Sequence, residues 1–162
     1  MSSSSSVGLM SSAGTSGQSA PAEGYAGDLA PRAAWDMLAR DRDCVLVDCR
    51  SRPEWSFVGL PDLASLGKKL VLVAWQNWTE RGMQPNPEFV REVQAAGVRQ
   101  DQPVIFLCRS GGRSRSAAIA MTRAGYKHCY NFAGGFEGPH DGQRHRGQSD
   151  GWKAAGLPWA QE

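Results

Sequence analysis

Nothing in this chain narrows its fold as much as the change of pattern across Val104-Ile105-Phe106-Leu107-Cys108-Arg109-Ser110-Gly111-Gly112-Arg113-Ser114. The four apolar residues after Pro103 have the form of a fully buried strand, which stops at Cys108. Beyond the loop, Ala117-Ala118-Ile119-Ala120-Met121 reads as a helix packed on a sheet. The glycines between them let the backbone curl so that several N–H groups converge on one small bowl. The helix adds its own unpaired N–H groups and the positive end of its dipole. The outcome is an anion site with a cysteine at its lip.

A thiol placed there loses its proton easily. A free cysteine has a pKa of about 8.5, and a helix N-terminus or neighbouring arginines lower it by several units. Arg109, Arg113 and Arg115 all fall within this turn. Cys108 is therefore expected to be a thiolate and a nucleophile. The other reading of the same residues is a buried structural cysteine among exposed arginines. The Gly-Gly pair and the three arginines favour chemistry.

The chain of 162 residues fits one domain, and its 41% hydrophobic content suffices for a core. A net charge of +2 argues for neither nucleic acid nor an anionic membrane as partner. The longest apolar run, Leu70 to Trp75, is strand-sized and too short to span a bilayer. The four cysteines, Cys44, Cys49, Cys108 and Cys129, match no zinc spacing and form no Cys-x-x-Cys. The expectation is a reduced, cytoplasmic protein with one functional thiol and no metal.

Residues 1–24 are Ser, Gly and Ala with little else, the composition of a disordered tail rather than a signal or transit peptide. Residues 25–162 make the domain. A helix is expected over Pro31 to Arg40, with Pro31 at its first position and Ala34, Trp35 and Leu38 facing inward. Cys44 to Asp48 is a strand ending in the polar break Asp48-Cys49-Arg50. In an open parallel sheet, ligands bind at such strand ends, which makes Asp48 and Arg50 candidates for shaping the site. A short helix follows at Pro53 to Phe57, then a loop over Gly59 to Gly67 and a third strand at Lys69 to Trp75. Gln76 to Asn86 reads as a loop and Pro87 to Ala96 as a helix stopped by Gly97. Tyr126 to Phe132 is a last short strand. The polar segment Gly138 to Gly151 holds His140, Asp141, His145 and Asp150 at irregular spacing, the pattern of a solvated loop rather than a metal site. Trp152 and Trp159 are apolar anchors that tie the C-terminus to the core.

Several of these pieces resemble the single-domain rhodanese-like sulfurtransferases. Asp48-Cys49-Arg50 matches the family's Asp-x-Arg, and Glu54-Trp55 falls where the family has an acidic residue with a bulky partner. Cys108 to Ser114 is similar to the active-site loop that opens with the nucleophile. Gly125-Tyr126, Asn131 to Phe136 and Gly156-Leu157-Pro158 resemble the closing segments. The likeness covers about Tyr25 to Trp159. Two departures stand out: Val58-Gly59-Leu60-Pro61-Asp62-Leu63 lacks the family's usual histidine, and the Gly138–Gly151 loop is long.

The resemblance implies a mostly parallel five-stranded α/β sheet with helices on both faces. It also implies sulfur transfer from thiosulfate or another persulfide donor through a Cys108 persulfide to cyanide or a thiol, small or protein-borne, without a cofactor. Cys108 would be the nucleophile. Arg109 and Arg113, with the amides of Ser110, Gly111, Gly112 and Ser114, would hold the anion, and Asp48 and Arg50 would support them.

Three other readings touch parts of this pattern. A cysteine phosphatase or arsenate reductase needs five residues between its cysteine and arginine, whereas four separate Cys108 from Arg113 and position 114 is serine. A non-catalytic interaction module of this family usually loses its nucleophile, which this chain keeps. A redox pair of Cys108 with Cys49 requires Cα atoms within about 7 Å, and the favoured reading of Cys49 is a packed small residue.

Overall fold

The computed structural model describes residues 24–138 and 151–161. The Ser-rich tail and the interior of the Gly138–Gly151 loop lie outside the described residues.

The central sheet has five strands, all parallel, in the order β1 (Gly27–Leu29), β8 (His128–Phe132), β7 (Pro103–Leu107), β2 (Val45–Asp48) and β4 (Val71–Leu72). β7 is the middle strand because both of its edges are paired, so its apolar residues are buried on both faces. Its side chains alternate across the sheet. Val104 and Phe106 join a core with α3 (Phe89–Ala95) and α4 (Gly112–Arg123). Ile105 and Leu107 join a second core with α1 (Pro31–Arg40) and Trp152 of the short α5 (Gly151–Ala154). Helices therefore cover both faces, as expected for this α/β class.

The connections set the position of the site. After β2 the chain passes α2 (Arg52–Phe57) and the short strand β3 (Leu60–Pro61) on its way out to β4. After β7 it turns the other way, through α4 to β8. The direction of winding thus reverses between β2 and β7, and a crevice opens beyond their carboxyl ends. Cys49 and Cys108 are the residues just past those two ends.

Three local expectations change. The Gln76–Asn86 loop is a hairpin of β5 (Gln76–Thr79) and β6 (Gly82–Pro85), turned where Gly82 takes a φ of 88°. The third strand is only Val71–Leu72, because β4 is an edge that pairs with β2 alone over two residues. β1 has no counterpart in the sequence reading; three residues carry too little periodicity, and its pairing to β8 creates it. The C-terminus is anchored as expected by Trp152, which is buried against Trp35 and Phe132 and donates its indole N–H to the Pro158 carbonyl at 2.7 Å. Trp159 sits in β9 (Trp159–Ala160), antiparallel to β3, and remains 40% exposed.

Candidate active site

Cys108 follows the fully buried β7, and its loop returns directly into α4. Gly111 makes this turn possible: its φ of 112° is left-handed and it caps the helix. The short loop folds back over the thiol, so Gly111 N–H donates to Cys108 Sγ at 3.1 Å and the Ser114 hydroxyl lies 3.2 Å from the same sulfur. Cys108 is 1% exposed.

The loop carbonyls are held from outside. Phe136 N–H donates to the Cys108 carbonyl at 2.7 Å, and the N–H groups of Glu137 and Gly138 donate to the Arg109 carbonyl at 3.0 and 3.1 Å. In a trans peptide, the C=O of one residue and the N–H of the next point in opposite directions. The clasp therefore turns the N–H groups of Arg109 and Ser110 away from the 134–138 turn, and neither donates to a backbone carbonyl among the described residues. Gly112 and Arg113 open α4, where N–H groups lack intrahelical partners. Of the loop N–H groups, that of Gly111 is the one that donates to the Cys108 sulfur among the described residues. Gly135 lets the clasp come this close. Its φ is 68°, and a Cβ there would lie 2.5 Å from the Arg109 backbone.

Behind the sulfur runs a buried polar chain. The Asn131 side-chain amide donates to Asp28 at 2.9 Å, which leaves Asn131 Oδ1 facing the Ser114 hydroxyl as acceptor. Tyr25 OH donates to the same Asp28 oxygen at 2.8 Å. Ser114 has one proton and three acceptors within reach: Cys108 Sγ, Asn131 Oδ1 and the Gly111 carbonyl. Its hydrogen can thus move between the sulfur and Asn131 as charge appears on or leaves Cys108. Asn131 and Asp28 were not among the expected site residues. A polar Asn between the aromatic Tyr130 and Phe132 was the available signal, whereas Asp28 lies on β1, a strand invisible in the sequence.

The arginines divide their work. Arg113 makes a two-pronged pair with Glu54 of α2, at 2.8 and 2.9 Å, so α2 is tied to the start of α4. Burial pushes the Glu54 carboxyl up, but the hydrogen bonds and charge of Arg113, with two more bonds from Ser51, outweigh it and hold Glu54 at about 2. Arg113 thus brings positive charge to the loop as a fixed element, and Glu54 neutralises much of it. Arg109 is half-exposed and pairs with Glu137, its Nε 3.3 Å from the carboxylate. Ser110 and Gly112 are exposed at the loop surface. Asp48 and Arg50 are both fully buried and paired at 2.7 Å. Arg50 also donates to the Gly59 carbonyl at 2.7 Å and stacks on Phe136, 4.2 Å from the ring centre. This pair braces the end of β2 and the clasp rather than lining the bowl.

All four cysteines are free and buried. Burial pushes Cys44 up to about 12 and Cys129 up to about 11, which keeps both protonated as core packing. Among the described residues no group of three or more His, Cys, Asp and Glu is placed to hold a metal ion. No described helix is long and apolar enough to cross a membrane.

These features define a class: α/β domains that present a buried thiol inside a glycine-bearing strand-to-helix loop at the switch point of a parallel sheet. Comparison with known proteins narrows the class. The rhodanese-like domain family matches residues 30–140, and the chain belongs to that family. An uncharacterized protein of Rickettsia rickettsii, the RP600 homolog, is 40% identical over 129 residues, covering 78% of this chain and 90% of that protein. The thiosulfate sulfurtransferase GlpE of Actinobacillus succinogenes is 29% identical over 131 residues, 81% of this chain and 87% of that one. The crystal structure of Rv0390 from M. tuberculosis is similar with a TM-score of 0.77 at 48% identity, covering 85% of this chain and 99% of that one. The polysulfide-sulfur transferase homodimer of Wolinella succinogenes shares the fold, with a TM-score of 0.56 at 20% identity over 83% of this chain and 77% of that one.

Proposed function

We propose that this protein is a sulfurtransferase that moves a sulfane sulfur from a small anionic donor, such as thiosulfate, to a thiophilic acceptor. The observation that carries the reading is the environment of Cys108 Sγ. One loop N–H and one hydroxyl already touch it, and further loop N–H groups have no backbone partner among the described residues. Such a bowl stabilises negative charge on sulfur wherever it stands during the reaction. The Cys108 thiolate attacks the outer sulfur of thiosulfate. A new S–S bond forms, the bond to the sulfonate sulfur breaks, and sulfite leaves with the electron pair. The Cys108 persulfide, itself an anion, stays in the bowl. Cyanide or a thiolate then attacks the outer sulfur and restores the thiolate.

The family membership and the named activity of the Actinobacillus relative support the same reading. The short loop supports it against phosphoryl chemistry, since the Ser114 hydroxyl, at the position where the longer loop has its arginine, sits against the cysteine. Intact-protein mass spectrometry after thiosulfate treatment tests it. The wild type is expected to gain one sulfur mass that cyanide or a thiol removes, and Cys108→Ser is expected to gain none. A folded wild type that acquires no sulfur from thiosulfate or a polysulfide would sink the proposal.

A further inference from the structure

Cys49 has no part in the transfer just described, yet its place in the sheet puts it beside the nucleophile. β2 and β7 pair in parallel with Val47 opposite Phe106 and Asp48 opposite Leu107. Cys49 N–H donates to the Leu107 carbonyl at 2.8 Å, which closes the Asp48–Leu107 rung, and the Cys49 carbonyl then accepts from Trp75 N–H. Cys49 and Cys108 are the residues that follow this last rung on the two strands. Residues two apart on a strand share a face, and Cys49 and Cys108 belong with Val47 and Phe106 to one core cluster. Neighbouring strands lie about 4.7–4.9 Å apart, and a disulfide accepts Cα separations of about 4.4–6.8 Å. Two residues that follow one shared rung on the same face are therefore placed for a bond to each other. The Cys49 thiol is fully buried and donates a 3.2 Å bond to the Leu107 carbonyl; burial first, and charge on the neighbouring Cys108 second, push its pKa well above the ordinary thiol value, so it carries its proton into the step. Cys44 and Cys129 are no alternatives. Cys129 pairs with Val104, four residues back along β7, roughly 13 Å away at strand rise, and Cys44 precedes β2 in the opposite core.

We infer that Cys49 is a resolving thiol for the Cys108 persulfide, which gives the domain a second activity: reduction of sulfane sulfur to sulfide. This step rests on the sulfur-transfer reading above. Cys49 sits on the core side of Cys108, so it reaches the inner sulfur, while the outer sulfur lies among the loop amides. Cys49 Sγ attacks Cys108 Sγ. The Cys49–Cys108 bond forms, the bond to the outer sulfur breaks, and the outer sulfur leaves with the electron pair and the Cys49 proton as HS⁻. The sulfane sulfur is reduced and the two cysteine sulfurs are oxidised to a disulfide, with charge and protons conserved. A dithiol, small or protein-borne, reduces the disulfide and resets the pair. When an acceptor thiol is abundant, transfer from the outer sulfur competes with this internal route.

The test is an anaerobic single turnover. Reduced wild type, Cys49→Ala, Cys49→Ser and Cys108→Ser are treated with thiosulfate, desalted, and followed by intact mass, free sulfide and peptide mapping. In the wild type the sulfur adduct should decay to the disulfide mass with release of one sulfide per chain and a linked Cys49–Cys108 peptide. Both Cys49 variants should keep the adduct and release no sulfide, and Cys108→Ser should do neither. A wild type that keeps its adduct, or yields no linked peptide, overturns the inference and leaves sulfur transfer standing. Equal sulfide release from the Cys49 variants overturns it too. A wild type that shows no adduct, no linked peptide and no sulfide, with no adduct on either Cys49 variant, removes the sulfur-transfer reading and this inference with it. The linked peptide is read on the wild type, so the outcome does not depend on how well either Cys49 variant folds.

Discussion

At the scale of single residues, the site depends on who donates to whom. Ser114 shares its one proton among the Cys108 sulfur, Asn131 and the Gly111 carbonyl, and Asn131 is oriented by Asp28. Replacing Ser114 with Ala should leave Cys108 in place but remove the hydroxyl 3.2 Å from its sulfur. A hydrogen bond to a charged group is worth about 1.5–3 kcal/mol, which corresponds to a fall of about ten- to a hundredfold in the rate of sulfur loading. Rapid-quench mass spectrometry measures that rate. Loading at the wild-type rate in a folded Ser114→Ala protein would show that this hydroxyl does no more than fill space.

At the scale of elements, two fastenings hold the loop. The first is the Glu54–Arg113 pair between α2 and α4. Glu54 lies at about 2 in the folded chain against 4.5 for the free group. Its contribution to stability is therefore complete above pH 4.5 and is lost as pH falls through that window toward 2. Urea unfolding of wild type and Glu54→Gln should show a gap at neutral pH that closes on acidification. A gap that stays constant to the acid end would mean the pair is not its source. The second fastening is the turn that clasps the loop carbonyls. Gly135→Ala demands both a left-handed backbone for alanine and room that the Arg109 backbone occupies. It should cost more than about 1 kcal/mol and slow sulfur loading, since the loop must shift to admit the methyl. Chemical unfolding and the loading assay read the two effects separately.

At the scale of the whole molecule, the buried Asp48–Arg50 pair joins parts distant in sequence: the end of β2, the Gly59 bend and Phe136 of the clasp. Removing one member leaves the other charged in the core. Arg50→Met should destabilise by about 3–5 kcal/mol, as broken buried pairs do, whereas changing both residues to apolar ones should recover much of that loss. Equilibrium unfolding of the single and double variants makes the comparison. A small loss in Arg50→Met would mean that Asp48 finds another partner. The same brace flanks Cys49 on both sides in the chain, so loosening it should also change how fast the persulfide resolves.

Much of the architecture is legible in the chain itself. The α1 boundaries, the β7–loop–α4 unit and the burial of Trp152 follow from apolar periodicity, proline and glycine, because these act over a few neighbouring residues. The tight turn from strand to helix is legible for the same reason, since Gly111, Gly112 and the helix start are contiguous. What the chain alone determined, then, is the strand–loop–helix unit, the thiol at its lip and the α/β class. Only the tertiary structure decided which groups serve that thiol. Asp28 and Asn131 come from β1 and β8, Glu54 from α2, the clasp from the 134–138 turn and Cys49 from β2. Each reaches the loop through strand order, register or packing, quantities set by which edges pair in the folded sheet. No local pattern encodes them, and for that reason Arg109 and Arg113 could be named from sequence while the carboxylates that pair with them, Glu137 and Glu54, could not be assigned to them.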